Sequence, residues 1–491
     1  MIRLYLDWNV INGMRTSKEG DEFFVLKNYL EENRSYFEVY YSHAHLSDLA
    51  GHKKVLDDEI KADLAFLSHL TENRAFSIRD GEVHFGKSSP LDWYKTLIDD
   101  DILDDAKTLE DLFETIGDDD PTLSKIVSQQ VELLKSIPIP EEMRQLPFLF
   151  PERTGKTLYD ASNAMLRMSK DWMDTDAYGK VRDFLQQILN SDPNRISSAQ
   201  NPFAAIDSNF RALGPESSYA NVENSVNSSS KEHMKSCPDW YNKVSSTFLS
   251  LDMHGYSSDQ IKINDQRKQT FHNTANDSAH AAYASLCHIY IIADRKARRK
   301  TVATYERLGI NTVILAPNAE KDQRYASFIN GDFLRNPDTA QSLFDSVMQT
   351  LTSGKLADED ANNGEQRILV QYPFCSYYGF FNKIIVIPGQ DSFQVVLGTR
   401  EPTNWPNLFI DATVNLANRL ISIFGQADDG TETVDVSNLQ EIQTSSDSKW
   451  SLIWGNSLYL VCFAGRVQFY FPPVPLKALQ EKRTKPTGTN A

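Results

Sequence analysis

The residues of this sequence that could do chemistry are carboxylates that follow short apolar runs. The run Ile2–Leu6 is followed by Asp7, and a second apolar run, 289–293, is followed by Asp294. Such a run predicts a buried parallel strand, which carries the residue after it to the carboxyl edge of the sheet. Carboxylates that meet at one edge can hold a divalent cation, because hard ions prefer oxygen ligands.

Two more acids complete a candidate set of four: Asp48, about one turn after His45 in a predicted helix, and Asp277, at the start of another. Asp7 and Asp294 alone would be ordinary turn residues after a strand. Asp277 alone would be a helix-capping or first-turn acid, and Asp48 alone a surface acid. The coincidence of all four acids in one chain favours a shared site.

The order of these pieces resembles that of the PIN-domain nucleases. The resemblance rests on residues 6–9, 44–49, 276–280 and 292–296, which read LDWN, AHLSDL, NDSAH and IADRK. It covers residues 1–85 and 265–320, less than a third of the chain. It implies an α/β fold with a PIN-like parallel sheet flanked by helices.

The resemblance implies catalytic and metal-binding roles for the four acids. Asp7, Asp277 and Asp294 match the strand-end and helix-end acids of the family, and Asp48 matches the acid on its second helix. They would hold Mg²⁺ or Mn²⁺, which lowers the pKa of a bound water so that hydroxide attacks the scissile phosphorus in line. Because the family often has glutamate at the place of Asp48, the number of metal ions stays open.

Three further residues would support the acids. Asn9 could hydrogen-bond Asp7 or a metal-bound water, as the small polar residue at this place does in the family. His45 could orient a carboxylate or contact phosphate, although a structural histidine is the more common use. Ser278 could donate a hydrogen bond behind the metal ligands, whereas His280 is expected to be structural.

A basic stretch directly follows Asp294. The five cations among its six residues are Arg295, Lys296, Arg298, Arg299 and Lys300. They fall where the backbone of a nucleic acid would enter the acidic edge, so Arg295 and Lys296 are predicted to contact its phosphates. The ordinary alternative for these cations is a solvated helix face.

Composition bounds the class of protein. The chain has 491 residues, a net charge of −17 and four scattered cysteines without a CxxC pair. The charge argues against a protein that coats nucleic acid non-specifically, although a local basic patch can still bind phosphates. The scattered cysteines, the lack of a long apolar run and an N-terminus that leads straight into a strand predict a cytoplasmic protein with no signal peptide and no membrane span.

Changes in pattern along the chain predict its domains. The expected bounds are 1–85 for the first part of a PIN-like domain, 86–264 for a helical insertion, 265–352 for the second part of the PIN-like domain, 353–366 for a linker, 367–476 for an α+β domain of unknown role and 477–491 for a disordered tail. Within the insertion, the expected features are helices at 123–134, 157–173 and 178–189, an acidic face at 99–120 and a loop at 217–230.

Hydrophobic spacing predicts the individual elements. Helices are expected at 21–30, 57–70, 295–308, 339–351 and 408–424, and strands at 37–41, 288–293, 312–315, 367–378, 383–387, 393–397, 450–454, 458–463 and 467–471. Ser42 is expected to cap the helix that carries Asp48, and Thr274 or Asn276 to cap a helix that runs to about 286. The helix at 339–351 is expected to close the PIN-like domain.

These features predict a metal-dependent ribonuclease that, by the resemblance, cuts single-stranded RNA internally, and many PIN proteins are toxins or defence effectors. One alternative is a nuclease for structured or flapped DNA. Another is a PIN-derived scaffold that binds RNA or protein without cutting, and a third is a partner-binding α+β protein without a link to nucleotides. The insertion and the C-terminal domain would supply regulation, homo-oligomerisation or the binding of a partner protein.

Overall fold

The computed structural model describes part of the chain. The described residues are 1–50, 56–99, 192–213, 218–220, 237–257, 271–317, 322–359, 368–405, 410–439, 449–455, 457–463, 466–475 and the isolated positions 135, 157, 159, 160, 163, 182 and 186. The helices predicted at 123–134, 157–173 and 178–189, the acidic face, the loop at 217–230 and the tail at 477–491 lie wholly or largely outside them.

The first sheet has six strands in the order β4-β3-β2-β1-β5-β6. The strands are β1 (Ile2–Leu6), β2 (Phe37–Ser42), β3 (Arg74–Arg79), β4 (Glu82–Lys87), β5 (Ile289–Ile291) and β6 (Val313–Leu315). All neighbours are parallel except β3 and β4, which form an antiparallel hairpin. The expected mixed α/β architecture with a parallel-rich sheet is therefore confirmed.

The β3–β4 hairpin was missed by the sequence analysis although its turn has a clear signal. Asp80 and Gly81 both have positive φ angles, 52° and 78°. Two such residues between two strands are typical of a tight hairpin turn, which Asp-Gly adopts readily. The hairpin closes the far edge of the sheet, because β4 pairs with β3 alone.

Thirteen helices are defined within the described residues. They are α1 (Trp8–Thr16), α2 (Glu22–Glu32), α3 (His43–Ala50), α4 (Asp58–Thr71), α5 (Pro90–Asp99), α6 (Pro193–Ser198), α7 (Pro202–Leu213), α8 (Asp239–Met253), α9 (Phe271–Ala284), α10 (Arg295–Leu308), α11 (Gln323–Ile329), α12 (Ala340–Ser353) and α13 (Ile410–Phe424). None of the helices found in this part of the chain is long and apolar enough to cross a membrane.

Helices cover both faces of the first sheet, because successive strand residues point to opposite sides. Leu4 and Leu6 of β1 face a core built with α1, α2 and α4. Tyr5 faces the other way, into a core shared with α8, α9 and α10. The sheet is thus buried on both sides, as apolar parallel strands require.

The predicted cap of α9 is wrong. The helix already includes Phe271, so Thr274 and Asn276 lie inside it rather than at its start. Both side chains are buried, each with 7% of its surface exposed. Asn276 donates to the carbonyl oxygen of Ala44 at 2.9 Å, so its polar group serves a contact between helices.

The second sheet is formed by the C-terminal part of the chain and is antiparallel. Its eight strands are β8 (Ala357–Glu359), β9 (Ile368–Gln371), β11 (Lys383–Pro388), β12 (Ser392–Gly398), β13 (Lys449–Trp454), β14 (Leu458–Phe463), β15 (Arg466–Tyr470) and β16 (Val474–Pro475). The strands predicted at 383–387, 393–397, 450–454, 458–463 and 467–471 are confirmed. α13 packs against this sheet with Leu416 and Leu420.

Two predictions for the entry into this sheet are wrong. Residues 357–359, inside the predicted linker, form β8, which pairs with β9 and adds an edge strand. The predicted strand at 367–378 is broken into β9 and the short β10 (Ser376–Tyr377), which pairs with β7 (Leu334–Arg335). Pro373 lies at the break and has no N–H to offer a neighbouring strand.

α12 belongs by its packing to the second sheet. Leu343, Val347 and Leu351 are buried in the core of the C-terminal strands rather than against the parallel sheet. The helix itself is confirmed, and Thr339 caps it by accepting a hydrogen bond from the N–H of Ser342.

Candidate active site at the carboxyl edge of the parallel sheet

The register of β1 and β5 brings the first two acids to one edge. Leu6 pairs with Ile291, so the two strands end side by side. The backbone N–H of Asp7 donates to the carbonyl oxygen of Ile291 at 2.9 Å, which continues the ladder by one residue. Asp294 follows three residues after the end of β5 and opens α10.

Asp7 occupies the cap position of α1, but its carboxylate makes no capping hydrogen bond. Only 5% of the residue is exposed. Asn9 Nδ2 donates to Asp7 Oδ2 at 3.3 Å, the contact that the sequence predicted. Burial raises the pKa of Asp7 to about 6, and the charges of Asp48 and Asp294 add to that rise. The surroundings of this carboxylate therefore disfavour its ionisation.

Asp277 projects from α9 into the same neighbourhood and is half-buried. Burial raises its pKa well above the ordinary value, and the carboxylates of Asp7 and Asp294 contribute to the rise. The charge of Lys300 opposes this rise without cancelling it. These acids are therefore close enough for each to affect the pKa of Asp277.

Asp294 also has the ordinary structural role of a helix cap. Its Oδ1 accepts hydrogen bonds from the N–H groups of Lys296 and Ala297, both at 2.7 Å. These bonds cap α10 and place a negative charge at the positive end of the helix. Oδ2 has no hydrogen-bond partner among the described residues, and the side chain is exposed.

Both carboxylate oxygens of Asp48 have hydrogen-bond partners on α9. Its Oδ1 accepts a hydrogen bond from Asn276 Nδ2, and its Oδ2 lies 2.9 Å from His280 Nε2. Burial disfavours a charged His280, but the bond to Asp48 and the nearby carboxylates outweigh it and raise the histidine's pKa. Asp48 is thus paired with a histidine, whereas Asp7 and Asp277 have no such partner among the described residues.

The chain of hydrogen bonds continues from His280 under the sheet edge. Its Nδ1 lies 2.9 Å from the hydroxyl of Tyr5, which is 2.6 Å from Ser42 Oγ. Ser42 Oγ also accepts from the N–H of Ala44 at 3.2 Å, so its predicted capping role is confirmed. His280, expected to be structural, links an acid of the site to a buried tyrosine.

His45 does not contact any carboxylate and cannot reach a substrate, because it is fully buried. Its Nδ1 accepts from the N–H of Ser42 at 3.1 Å, and its Nε2 donates to the carbonyl oxygen of Leu6 at 2.8 Å. Burial lowers its pKa to about 3, which keeps the ring neutral. His45 therefore has the structural role that the sequence analysis favoured over a contact with a carboxylate or phosphate, and it holds the end of β1.

Ser278 is also turned away from the acids. Its Oγ donates to the carbonyl oxygen of Ala275 at 2.6 Å, within its own helix, and the residue is 3% exposed. The predicted hydrogen bond behind a metal ligand is absent for this side chain. Bonding back to the helix backbone is the usual outcome for serine in the middle of a helix.

The basic stretch divides into exposed and buried members. Arg295 is exposed and Lys296 is half-buried, next to the carboxylate of Asp294. Lys300 is fully buried and donates to Asp252 Oδ1 at 2.9 Å, which ties α10 to α8. Arg299 bonds the carbonyl oxygen of Ser197. Arg299 and Lys300 thus serve contacts within the protein, whereas Arg295 is open to solvent.

The sequence analysis missed Tyr5 and gave His280 too small a role. A tyrosine within an otherwise aliphatic strand is one signal, because its hydroxyl needs a partner when buried. A histidine one turn after Asn276 on the same helix is another, because residues four apart share a face. Neither signal by itself names a role.

The acids fit a cation by chemistry but do not form a closed cage. In the part of the chain that the structure describes, no group of three or more His, Cys, Asp or Glu side chains is arranged so that it could hold a metal ion. Magnesium is commonly bound by only one or two carboxylates, with water and substrate phosphates filling the other positions. An open pair of acids is compatible with that mode.

Comparison of the chain with family models, curated proteins and solved structures finds no match.

Proposed function

We propose that the protein is a divalent-cation-dependent phosphodiesterase that cleaves RNA at the carboxyl edge of the first sheet. The observation that carries this proposal is the pair of Asp7 and Asp277. Burial and neighbouring carboxylates raise the pKa of each, and neither forms an ion pair within the described residues. An unpaired carboxylate held away from water is costly, and either protonation or a bound cation offsets that cost.

Asp7 and Asp277 are the proposed ligands of Mg²⁺ or Mn²⁺, and Asp294 Oδ2 would contact a water bound to the cation rather than the cation itself. When bound, the cation would offset the charge on the phosphate and lower the pKa of an attacking water. Two protein carboxylates leave positions open for the phosphate oxygens of a substrate. The four-acid ligand set expected from the resemblance is thus reduced in the proposal to two acids.

Asp48 would then be a positioning residue. It holds His280 through Oδ2, and a protonated His280 would oppose the rise in the pKa of Asp7. Because a cation ligand must be ionised, this charge would favour metal binding by Asp7. Arg295 and Lys296 would bind the phosphates that flank the scissile bond.

We propose RNA rather than DNA as the substrate only because the sequence resembles PIN nucleases, so the experiment compares both nucleic acids. Labelled single-stranded RNA, single-stranded DNA and a flapped DNA duplex are incubated with the native protein and Mn²⁺. The variants are Asp7→Asn and Asp277→Asn, which are nearly isosteric but remove the ligand charge. The matched control is Asp391→Asn, an exposed acid in the turn between β11 and β12.

We expect the native protein and the control to cut RNA, and each site variant to lose at least about 100-fold in rate, because loss of a metal ligand costs more than loss of a residue behind it. Cutting by the site variants at the native rate contradicts the proposed site. Preferential cutting of flapped DNA supports the DNA nuclease instead. No cutting with any cation contradicts the catalytic proposal.

A further inference from the structure

Helices α12 and α13 lie against one side of the second sheet. Leu460 of β14 and Val467 and Phe469 of β15 point into the core that the sheet shares with these helices. Successive residues of a strand point to opposite sides, so the residues between them point away from the helices. We call that side the outer face, and it includes Lys449, Tyr459, Phe463, Arg466, Gln468 and Tyr470.

The outer face differs in charge from the chain as a whole. Acidic residues outnumber basic ones in the sequence, 67 to 50. The strands β11 to β15 nevertheless contain no Asp or Glu. Lys449 and Arg466 are exposed, and neither has an ion pair or a hydrogen bond with a described residue. The outer face therefore presents positive charge that attracts an anionic partner.

An exposed aromatic ring lies between these two cations. Phe463 of β14 pairs with Lys449 on one neighbouring strand and with Arg466 on the other. Directly paired residues of antiparallel strands have Cβ atoms about 4.5–5.5 Å apart, so the three side chains form one row across the sheet. Phe463 is 46% exposed, more than any other large apolar residue that the structure describes. A partner that covers this ring gains the burial of its apolar surface.

Two tyrosines continue the aromatic surface along the same strands. Tyr459 of β14 pairs with Tyr470 of β15, and both are half-buried. The hydroxyl of Tyr470 donates to Gln468 Oε1 at 2.5 Å, between residues two apart on the outer face. Tyr459 lies four residues before Phe463, which is about 13 Å along a strand. The rings are thus spread along one line, as an extended chain of bases requires.

This chemistry favours single-stranded nucleic acid as the partner. Aromatic rings stack unpaired bases, and cations beside the rings bind the phosphates between those bases. A second copy of this chain fits less well, because a two-fold contact brings the same face of both copies together. The cations of each copy would then meet strands that contain no acid to pair with them.

We propose that the outer face binds single-stranded nucleic acid, with a base stacked on Phe463 and the adjoining phosphates bound by Lys449 and Arg466. The rings of Tyr459 and Tyr470 take a further base. This binding needs no divalent cation and goes beyond the cleavage proposed at the acidic edge, so either proposal can fail without the other.

The test is a fluorescence-anisotropy titration of the full chain in EDTA, at a series of salt concentrations. The probes are labelled oligouridylate, labelled oligothymidylate and an RNA duplex of the same length. The variants are Phe463→Ala, Phe463→Trp, Lys449→Gln and Arg466→Gln. The matched controls are Arg79→Gln, an exposed arginine of the first sheet, and Val25→Ala, an exposed apolar residue of α2.

We expect both single strands to bind more tightly than the duplex, in which the bases are already stacked on each other. Phe463→Ala should weaken binding by about tenfold, within the range for the loss of one stacked base, and Phe463→Trp should bind like the native protein. Lys449→Gln and Arg466→Gln should each reduce the slope of log K against log salt by about 0.7, whereas Phe463→Ala should leave that slope unchanged. Both controls should bind like the native protein.

Three results would overturn the proposal: no binding of any probe, duplex binding as tight as that of the single strands, or undiminished binding by Phe463→Ala. A native dimer in sedimentation that Phe463→Ala converts to a monomer would also overturn it, because a second copy would then occupy the outer face. Tighter binding of one of the two single strands identifies RNA or DNA as the preferred partner and supports the proposal.

Discussion

The two sheets of this protein bury very different side chains. The second sheet packs Phe393, Leu460 and Phe469 into an apolar core against α13. The first sheet has apolar cores as well, but at its carboxyl edge it also buries Asp7 and His280. Burial of apolar surface stabilises a fold, whereas burial of charge opposes it. The apolar core of the second sheet therefore stabilises the fold, whereas the charged groups at the acidic edge lower its stability.

The largest effect should come from the apolar core. Phe469 is fully buried against Phe381, Phe424 and Trp454, so Phe469→Ala should lower the free energy of unfolding by about 3–5 kcal/mol. Phe463→Ala is the control, since Phe463 is 46% exposed and its loss should change stability by less than about 0.5 kcal/mol. Urea denaturation measures the loss of stability in both variants. Equal losses would mean that burial does not decide how much each phenylalanine stabilises the fold.

The acidic edge should respond in the opposite direction. The folded pKa of Asp7 is about 6, above its ordinary value of 3.8, so its ionisation opposes folding. The contribution of Asp7 to the free energy of unfolding is therefore fully present below pH 3.8, and it is lost as the pH rises through about 6. Asp7→Asn cannot ionise, so it should be more stable than the native protein at pH 8 by about 3 kcal/mol.

The measurement is urea denaturation in EDTA at a series of pH values from 4 to 8. The stability difference between Asp7→Asn and the native protein should be small at pH 4 and grow towards pH 8. Asp391→Asn should give no such growth, because that acid is exposed. A variant that is less stable than the native protein at every pH would mean that the carboxylate stabilises the fold.

The buried hydroxyl of Tyr5 tests the neutral part of the same network. Tyr5→Phe keeps the ring but leaves His280 Nδ1 and Ser42 Oγ without this partner. Stability should fall by about 1–3 kcal/mol, the cost of an unsatisfied buried polar group. Tyr470→Phe is the control, because that hydroxyl bonds only Gln468 at a half-buried place. Unchanged stability of Tyr5→Phe would mean that the hydrogen bonds of this hydroxyl make no net contribution to the free energy of unfolding.

The smallest expected effect separates the two roles of Asp294. Asparagine is also a good helix cap, so Asp294→Asn should leave thermal stability nearly unchanged, whereas Asp294→Ala should cost about 1 kcal/mol. If its free oxygen contacts a water bound to the cation, both variants should slow RNA cleavage to a similar degree. Full activity of Asp294→Asn would reduce the residue to a cap alone.

The success of prediction from the sequence follows the same contrast. Strands such as β14 and β15 were predicted because alternating apolar residues reflect a sheet with one buried face. Asp7 and Asp294 were placed at one edge because parallel strands align their ends, as the register of Leu6 with Ile291 confirms. Local pattern was enough for these features.

What the sequence could not predict depends on contacts between distant residues. His280 contacts Asp48, which is 232 residues away in the sequence, and the local sequence around either residue does not indicate this contact. The same holds for Asn276, whose local pattern suggested a helix cap but whose amide bonds Ala44. Tertiary partners overrode local preference in both cases.

The most direct test of the central claim is calorimetric titration with Mn²⁺ of the native protein, Asp7→Asn, Asp277→Asn and Asp391→Asn, without nucleic acid. The account predicts binding by the native protein and the Asp391→Asn control, and its loss in both site variants. Equal Mn²⁺ binding by all four proteins, or by none of them, would contradict a cation site at the acidic edge.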